Sequence, residues 1–317
     1  MTTTPSWTEP DGVGERLRAA HAAGRLELPL PGAGRTWERW SALAELSAED
    51  LVVGRLAEAH TDAVAILAEL GGPAPDGLWG VWAAEPPSSV VRASRRGDGW
   101  RLDGRKAWCS GALVLDRALV STPEDRRLFA VDVADLEPVQ GSWPAVGMAE
   151  SGSVAVELHG VPALEVGGPG AYLDRPGFWH GGAGVAACWY GGAVGAGRVL
   201  LAASRARQLD AHALAHLGAV DTVVTAMTRH LQAAAAEIDA DPAGPGSRLR
   251  AARVRAHVEA GATEVLDRVG RALGAAPLCL DPAHAQRAAD LPVYLRQSHA
   301  ERDLAVLGGL AADEASW

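Results

Sequence analysis

The spacing of apolar positions changes twice along the chain, from a helical period to strand-like alternation and back, which predicts an α, β, α order. Early on, Gly14–Ala23 and Ala48–Leu70 carry apolar residues at helical spacing, the second through Leu51, Ala57, Val64, Leu67 and Leu70. Ser47-Ala-Glu-Asp50 offers that helix an N-cap and Gly71-Gly72-Pro73 a stop. Leu28–Trp40, with its prolines, glycines and two tryptophans, reads as a loop.

From Leu78 to Val166 the pattern is one of short strands: Leu78–Ala83, Val90–Arg95, Trp100–Leu102, Lys106–Ser110, Arg117–Val120, Arg127–Val131, Leu136–Val139 and Ser153–Leu158. Gly97-Asp98-Gly99 and Asp103-Gly104 are the expected hairpin turns. Many short strands over this length fit a small β-barrel or a sandwich. After Gly177 the helical period returns in Ala183–His216, Ala219–Asp239 and Ser247–Leu273, with a shorter segment at Leu291–Leu310. Four such helices with mostly short connections imply a bundle. The expected organisation is α+β, with a short N-terminal α region (1–77), a middle β-barrel (78–170) and a C-terminal four-helix bundle (171–317).

Composition narrows the partners. An apolar fraction of 48% with 21% charged residues is that of a globular chain, and 39 acidic against 29 basic residues leave a net charge of −10. No basic face of the size that a phosphate backbone needs is expected, so no nucleic-acid partner is expected. No run of eighteen apolar residues is uninterrupted, and no basic stretch followed by an apolar one opens the chain, so neither a membrane nor a secretory route is expected. Cys109, Cys188 and Cys279 are far apart with no CxxC, which argues against a zinc site or a disulfide framework and makes the reducing cytoplasm the default location.

Two local patterns invite a chemical reading and fail it. His212 and His216 stand at i, i+4 on a helix, but without a third ligand or an HExxH pattern no metal site is expected. The run Gly191-Gly192-Ala-Val-Gly195-Ala-Gly197 follows no strand and ends in no Gly-Lys-Ser/Thr, so it reads as close helix packing rather than a phosphate loop.

Three segments of the β region form an ordered series: Trp82-Ala-Ala-Glu-Pro-Pro-Ser88, then Gly99 to Gly111 with Lys106, Trp108 and Ser110, then Gly147-Met-Ala-Glu-Ser-Gly-Ser153 leading to Val161-Pro162. This series resembles the acyl-CoA dehydrogenase superfamily, and the match continues through Gly195–Arg207, Arg271–Ala275 and Asp290–Gly308. The resemblance implies an α domain, a β-barrel and a four-helix bundle. It also implies FAD and an oxidoreductase acting on the CH–CH group of an acyl thioester, carried by CoA or a carrier protein. Subunits in this family pair, so a homodimer or homotetramer is expected. Trp108 and Ser110 fall on the flavin-contacting strand, Arg207 on an arginine that reaches the diphosphate, and Arg271 and Gly274 on the adenine-side turn. Independently, a tryptophan beside a hydroxyl supplies what an isoalloxazine ring needs, a flat apolar face and an adaptable hydrogen-bonding group.

The chain also departs from the family. Removing a proton alpha to a thioester needs a carboxylate base, yet Ser298 stands where the usual glutamate falls, and Gly184–Ala187 contains no acid. His299 and Glu301 are the substitutes nearest in sequence, so Ser298, His299 and Glu301 are the candidate catalytic residues. The α region is short, Ala275 replaces a glycine, and Asp210-Ala211 replaces the Phe-Gly after the diphosphate arginine. These departures keep two alternatives in view: a flavin-dependent monooxygenase of the same fold, and a catalytically degenerate subunit hetero-oligomerised with an active dehydrogenase.

Overall fold

A computed structural model describes residues 10–87, 89–124 and 126–314. In chain order these form α1 (Pro10–Ala22), α2 (Thr36–Glu49), α3 (Leu51–Leu70), β1 (Trp79–Trp82), β2 (Val91–Arg96), β3 (Gly99–Lys106), β4 (Arg117–Thr122), β5 (Arg127–Asp132), β6 (Glu137–Val139) and β7 (Ala155–Glu165). The helices that follow are α4 (Ala171–Asp174), α5 (Gly177–Ala206), α6 (Ala211–Ala240), α7 (Ser247–Leu273), α8 (Ala276–Leu280), α9 (Pro282–Leu295) and α10 (Glu301–Glu314). The chain divides into two compact units, one of residues up to 27 with 56–145 and 149–178, the other of 28–55, 146–148 and 179 onward.

The first unit is built on one seven-stranded sheet in the order β1-β4-β5-β7-β3-β2, with β6 also pairing to β7. Only β1 and β4 run parallel; the other pairs are antiparallel. The eleven-residue β7 pairs with β3 and β6 along most of its length and with β5 at its end, so the sheet bends around it. Alternate side chains on β4 and β5 explain the continuous apolar runs there. Ala118, Val120, Phe129 and Val131 point into the barrel core with Trp82, Leu102, Val156 and Val161. Leu119, Leu128 and Ala130 point the other way and meet Ile66 and Leu67 of α3. A strand buried on both faces has no polar alternation to show.

Local chemistry sets several boundaries, and three expectations need correction. Asp50, not Ser47, starts α3, since its carboxylate accepts from the N–H groups of Val52 and Val53 at 3.0 Å. Ser47 lies inside α2, its hydroxyl donating to Leu43 O. Leu28–Trp40 is not all loop, because α2 begins at Thr36. Its backbone N–H and hydroxyl both donate to Asp239, a partner 203 residues away that no local pattern reveals. Asp103-Gly104 is no hairpin turn. Both residues sit within β3, where Gly104 (φ 126°) lets Val90 O approach its backbone. The hairpin turn is Gly97-Asp98, with Gly97 at φ 60° as a type II′ turn requires. Gly71 (φ 72°) ends α3 with the Gly72 N–H donating back to Leu67 O, a Schellman closure.

In the second unit the expected continuous helix Ala183–His216 is two helices. α5 stops at Ala206 and Asp210 caps α6, its carboxylate accepting from Ala213 N at 2.8 Å. The glycines of α5 are where another helix backbone comes close: a Cβ on Gly191 would collide with Ala44 O of α2, and Gly192 lies against Leu51 and Leu291. α5 is long and apolar enough to span a membrane by length and composition alone, but 61% of its most apolar window is buried against neighbours, as in a core helix. α6 and α7 pack along each other, burying Val220, Met227 and Leu231 on one helix and Val254, Val258 and Val265 on the other, with Gly261 making room for Met227. The predicted final helix Leu291–Leu310 is broken: α9 ends at Leu295, residues 296–300 turn, and α10 starts at Glu301.

Candidate functional site

In the barrel unit the candidate residues lie just past β3. Trp108–Ser110 is not a strand. Trp108 adopts φ 57°, and the segment turns back on itself with Ser110 N–H donating to Trp108 O. The turn is tied to the chain before β7: Cys109 N–H donates to Val154 O at 2.9 Å and Gly111 N–H to Ser151 O at 2.7 Å. The Trp82 indole N–H holds Ser110 O at 3.0 Å. A left-handed backbone in a bulky residue is strained and persists only where neighbours hold it.

Two features of this turn are suited to a flat heteroaromatic ligand. The Trp108 side chain is thrown outward, 57% exposed, while its neighbour Cys109 is fully buried. Beside it three hydroxyls form a chain: Ser110 Oγ to Ser153 Oγ and Ser153 Oγ to Ser151 Oγ, each 2.8 Å. A hydroxyl both donates and accepts, so such a chain reverses direction when its end meets a group that changes protonation. Cys109 is no nucleophile: burial pushes its thiol up to about 12, against the opposing pull of Lys106. Two concavities on this unit, 290 and 820 Å³, are lined in part by Asp76, Asp116, Arg117 and Asp132.

In the helical unit Ser298, His299 and Glu301 occupy the elbow between α9 and α10, and they fare differently. Ser298 is 4% exposed, and its hydroxyl donates to Glu259 Oε2 at 2.8 Å and accepts from Ala300 N at 3.2 Å. It is a structural tie. His299 and Glu301 are exposed. His299 is joined to Asp303 twice, by its backbone N–H to Oδ2 at 3.0 Å and by Nδ1 facing Oδ1 at 3.3 Å.

Sequence reasoning missed the residues that hold this elbow. Arg255 and Glu259, one turn apart on α7, grip it from one side: Arg255 donates to Gly182 O and Gln297 O, both at 2.9 Å, and Glu259 takes Ser298 and an ion pair with Arg296. Arg255 also lies 4.7 Å over the Trp189 ring, and Arg55 lies over Tyr294. The i, i+4 charge pair on an otherwise amphipathic helix was the one available signal.

The phosphate candidates are more dispersed. Arg207 is exposed just beyond α5, and Arg271 is exposed with Asp267 as its i, i+4 partner. Gly274 (φ 66°) closes α7 with open space where a Cβ would be. His212 and His216 are one exposed and one half-buried residue of α6, and among the described residues no group of three metal-ligating side chains forms.

No family model matches the chain, and no curated protein does. Solved structures do. Methanesulfinate monooxygenase MsuC from Pseudomonas fluorescens superposes with a TM-score of 0.79 over 96% of this chain and 94% of that one, at 17% identity. The HsaA monooxygenase from M. tuberculosis gives 0.76 over 98% and 92%, at 18% identity. TdsC from Paenibacillus sp. A11-2, solved with FMN and indole, gives 0.74 over 94% and 92%, at 20% identity. This chain is α+β and has the acyl-CoA dehydrogenase-like fold that these proteins share. The expectation of an acyl-CoA dehydrogenase proper, with its acyl thioester substrate, is corrected: these three structures, matched over nearly the whole chain, are those of monooxygenases, a different branch of the same fold.

Proposed function

We propose that this protein is a flavin-dependent monooxygenase that takes a reduced flavin, FMN or FAD, and molecular oxygen and oxygenates a small organic substrate. The observation that carries the reading is the elbow at 296–300. The residue standing where a dehydrogenase needs its carboxylate is a buried serine committed to Glu259, and the side chain presented outward is an imidazole. The likeness to monooxygenases of the same fold supports it, as does the Trp108 face with its hydroxyl chain, which fits an isoalloxazine edge.

The bound flavin would supply two electrons and two protons, so that one atom of O₂ enters the substrate and the other leaves as water. The chain's own residues are assigned three tasks. Trp108 gives the ring a flat apolar wall. Ser110, backed by Ser153 and Ser151, donates or accepts at the ring edge without moving its backbone, which Trp82 and Gly111 hold. His299 is the proton-transfer group, because an imidazole can accept a proton on one ring nitrogen and donate from the other, while Ser298 is committed to Glu259. Arg207 and Arg271 are the cationic side chains available to flavin phosphates. Self-association is part of the proposal, and Leu304 and Val306 leave apolar surface exposed on α10.

The test is the absorption spectrum of the purified protein after incubation with FMN or FAD and gel filtration, followed by oxygen uptake with reduced flavin and a panel beginning with indole. Retained flavin bands and substrate-dependent oxygenation are expected, with His299→Gln lowering the oxygenation rate by about a hundredfold while leaving flavin bound. A protein that stays colourless in both flavins and takes up no oxygen with reduced flavin and substrate overturns the reading and leaves the partner-subunit alternative.

A further inference from the structure

We propose that Asp303 is the positioning residue of the elbow: it fixes the ring of His299 with Nδ1–H turned toward its carboxylate, so that Nε2 is the nitrogen presented for proton transfer. The inference rests on the functional reading above for its catalytic meaning, but its geometric content stands on the structure of the elbow alone.

Three observations support it. A single carboxylate meets residue 299 at two points, the backbone N–H at 3.0 Å and Nδ1 at 3.3 Å. Holding a residue by both its main chain and its ring removes the freedom that one surface contact leaves. The ring contact at 3.3 Å is an ion-pair approach not aligned as a hydrogen bond, and contacts of this kind align and tighten when a site is loaded.

Second, the segment carrying His299 is not free to drift. Ser298 is tied to Glu259, Arg296 pairs with the same carboxylate, and the Gln297 carbonyl is held by Arg255. Ala300 takes φ 49° immediately afterwards, turning the chain into α10. That left-handed turn brings Asp303, in the first turn of α10, back over His299.

Third, the arrangement decides a tautomer. A neutral imidazole in water carries its proton mainly on Nε2. A carboxylate facing Nδ1 accepts only, so it favours the Nδ1–H form and leaves the Nε2 lone pair outward. Nearby charges do not undo this. Arg296 is engaged by Glu259, which in turn receives the Ser298 proton.

The experiment is long-range ¹H–¹⁵N correlation of ¹⁵N-histidine-labelled full-length protein at a pH where histidine is neutral, with His299 assigned by its loss in His299→Gln. The expected result is an Nδ1–H ring in the wild type that becomes Nε2–H in Asp303→Ala. Asp303→Asn retains an acceptor for the backbone N–H and controls for fraying of α10, which circular dichroism would report. In the flavin-loaded enzyme, Asp303→Ala is expected to lower kcat about tenfold, with flavin affinity by fluorescence quenching unchanged and no further loss in the His299→Gln background.

An Nε2–H wild-type ring overturns the proposal. So does a tautomer indifferent to Asp303, or a kcat that Asp303→Ala leaves alone although the tautomer switches. If the wild-type protein binds no flavin, the functional reading fails by itself, while the nitrogen spectrum still decides whether Asp303 orients the ring.

Discussion

The barrel edge at 107–111 and the elbow at 296–300 are both short irregular segments that carry candidate side chains, and they are held in opposite ways. At the barrel edge the ties are neutral: backbone N–H to carbonyl, indole to carbonyl, hydroxyl to hydroxyl. At the elbow they are charged, drawn from Arg255 and Glu259 on α7 and from Arg296 and Asp303 around the turn itself. Neutral ties hold whatever the pH or salt, and charged ties near a surface weaken with both. A wall for a flat ring needs the first kind of support. A group that moves protons is better served by the second, since charged partners orient it.

The largest expected effect tests whether the barrel's support is as neutral as this contrast implies. Its exception is Lys106, buried and donating to Ser121 O and Oγ at 2.9 and 3.0 Å, with Glu85 accepting from the same Ser121 hydroxyl at 2.7 Å. Burial lowers its ammonium from 10.5 to about 8, against the opposing pull of Glu85. Between those two values the unfolded chain keeps a proton that the folded chain has shed, so the stability attributable to Lys106 rises with pH across that window. Lys106→Met is therefore expected to be more favourable relative to wild type at pH 7 than at pH 10.5, the gap narrowing by up to about 3 kcal/mol in urea denaturation. A gap independent of pH would mean that the lysine is not held against its charge.

Next in size is Gly111→Ala. Gly111 sits at φ 77°, and a Cβ there would meet Leu115 and Leu56 at 2.6 and 3.1 Å. A loss of about 2 kcal/mol is expected, with flavin binding weakened and the elbow unaffected. The smallest effect belongs to Glu259→Ala, which frees Ser298 and Arg296 and is expected to remove about 1 kcal/mol. Its clearer signature is faster amide exchange at 296–300 with no change in the barrel. If exchange there is unaltered, Arg255 holds the elbow alone and the contrast narrows to one side chain.

Legibility followed the same line. At the barrel edge, Trp108 and Ser110 were singled out because they fall within one short motif stretch that resembles the family's flavin-contacting strand. Its shape was misjudged, because alternation cannot show that Trp108 turns to a left-handed backbone. The elbow's break was invisible: residues 291–310 keep a helical apolar spacing through it, and its cause, the tie between Ser298 and Glu259, spans 39 residues. Ser298 was a candidate catalytic residue only from its alignment position, and burial with a carboxylate partner makes it a tie. The start of α2 was missed for the same reason, its capping carboxylate being Asp239.

The chain's own order of residues determined the α, β, α succession, the breaks at Gly71 and Gly97, the extent of α7 and the motif series that points to this fold. Each depends on periodicity or on a backbone preference that a few neighbouring residues express. Only the tertiary structure decided which polar groups are spent on holding the backbone and which are left to act, because that depends on partners brought together from distant parts of the chain. Burial commits Ser298 to Glu259, and a left-handed turn at Ala300 gives His299 to Asp303.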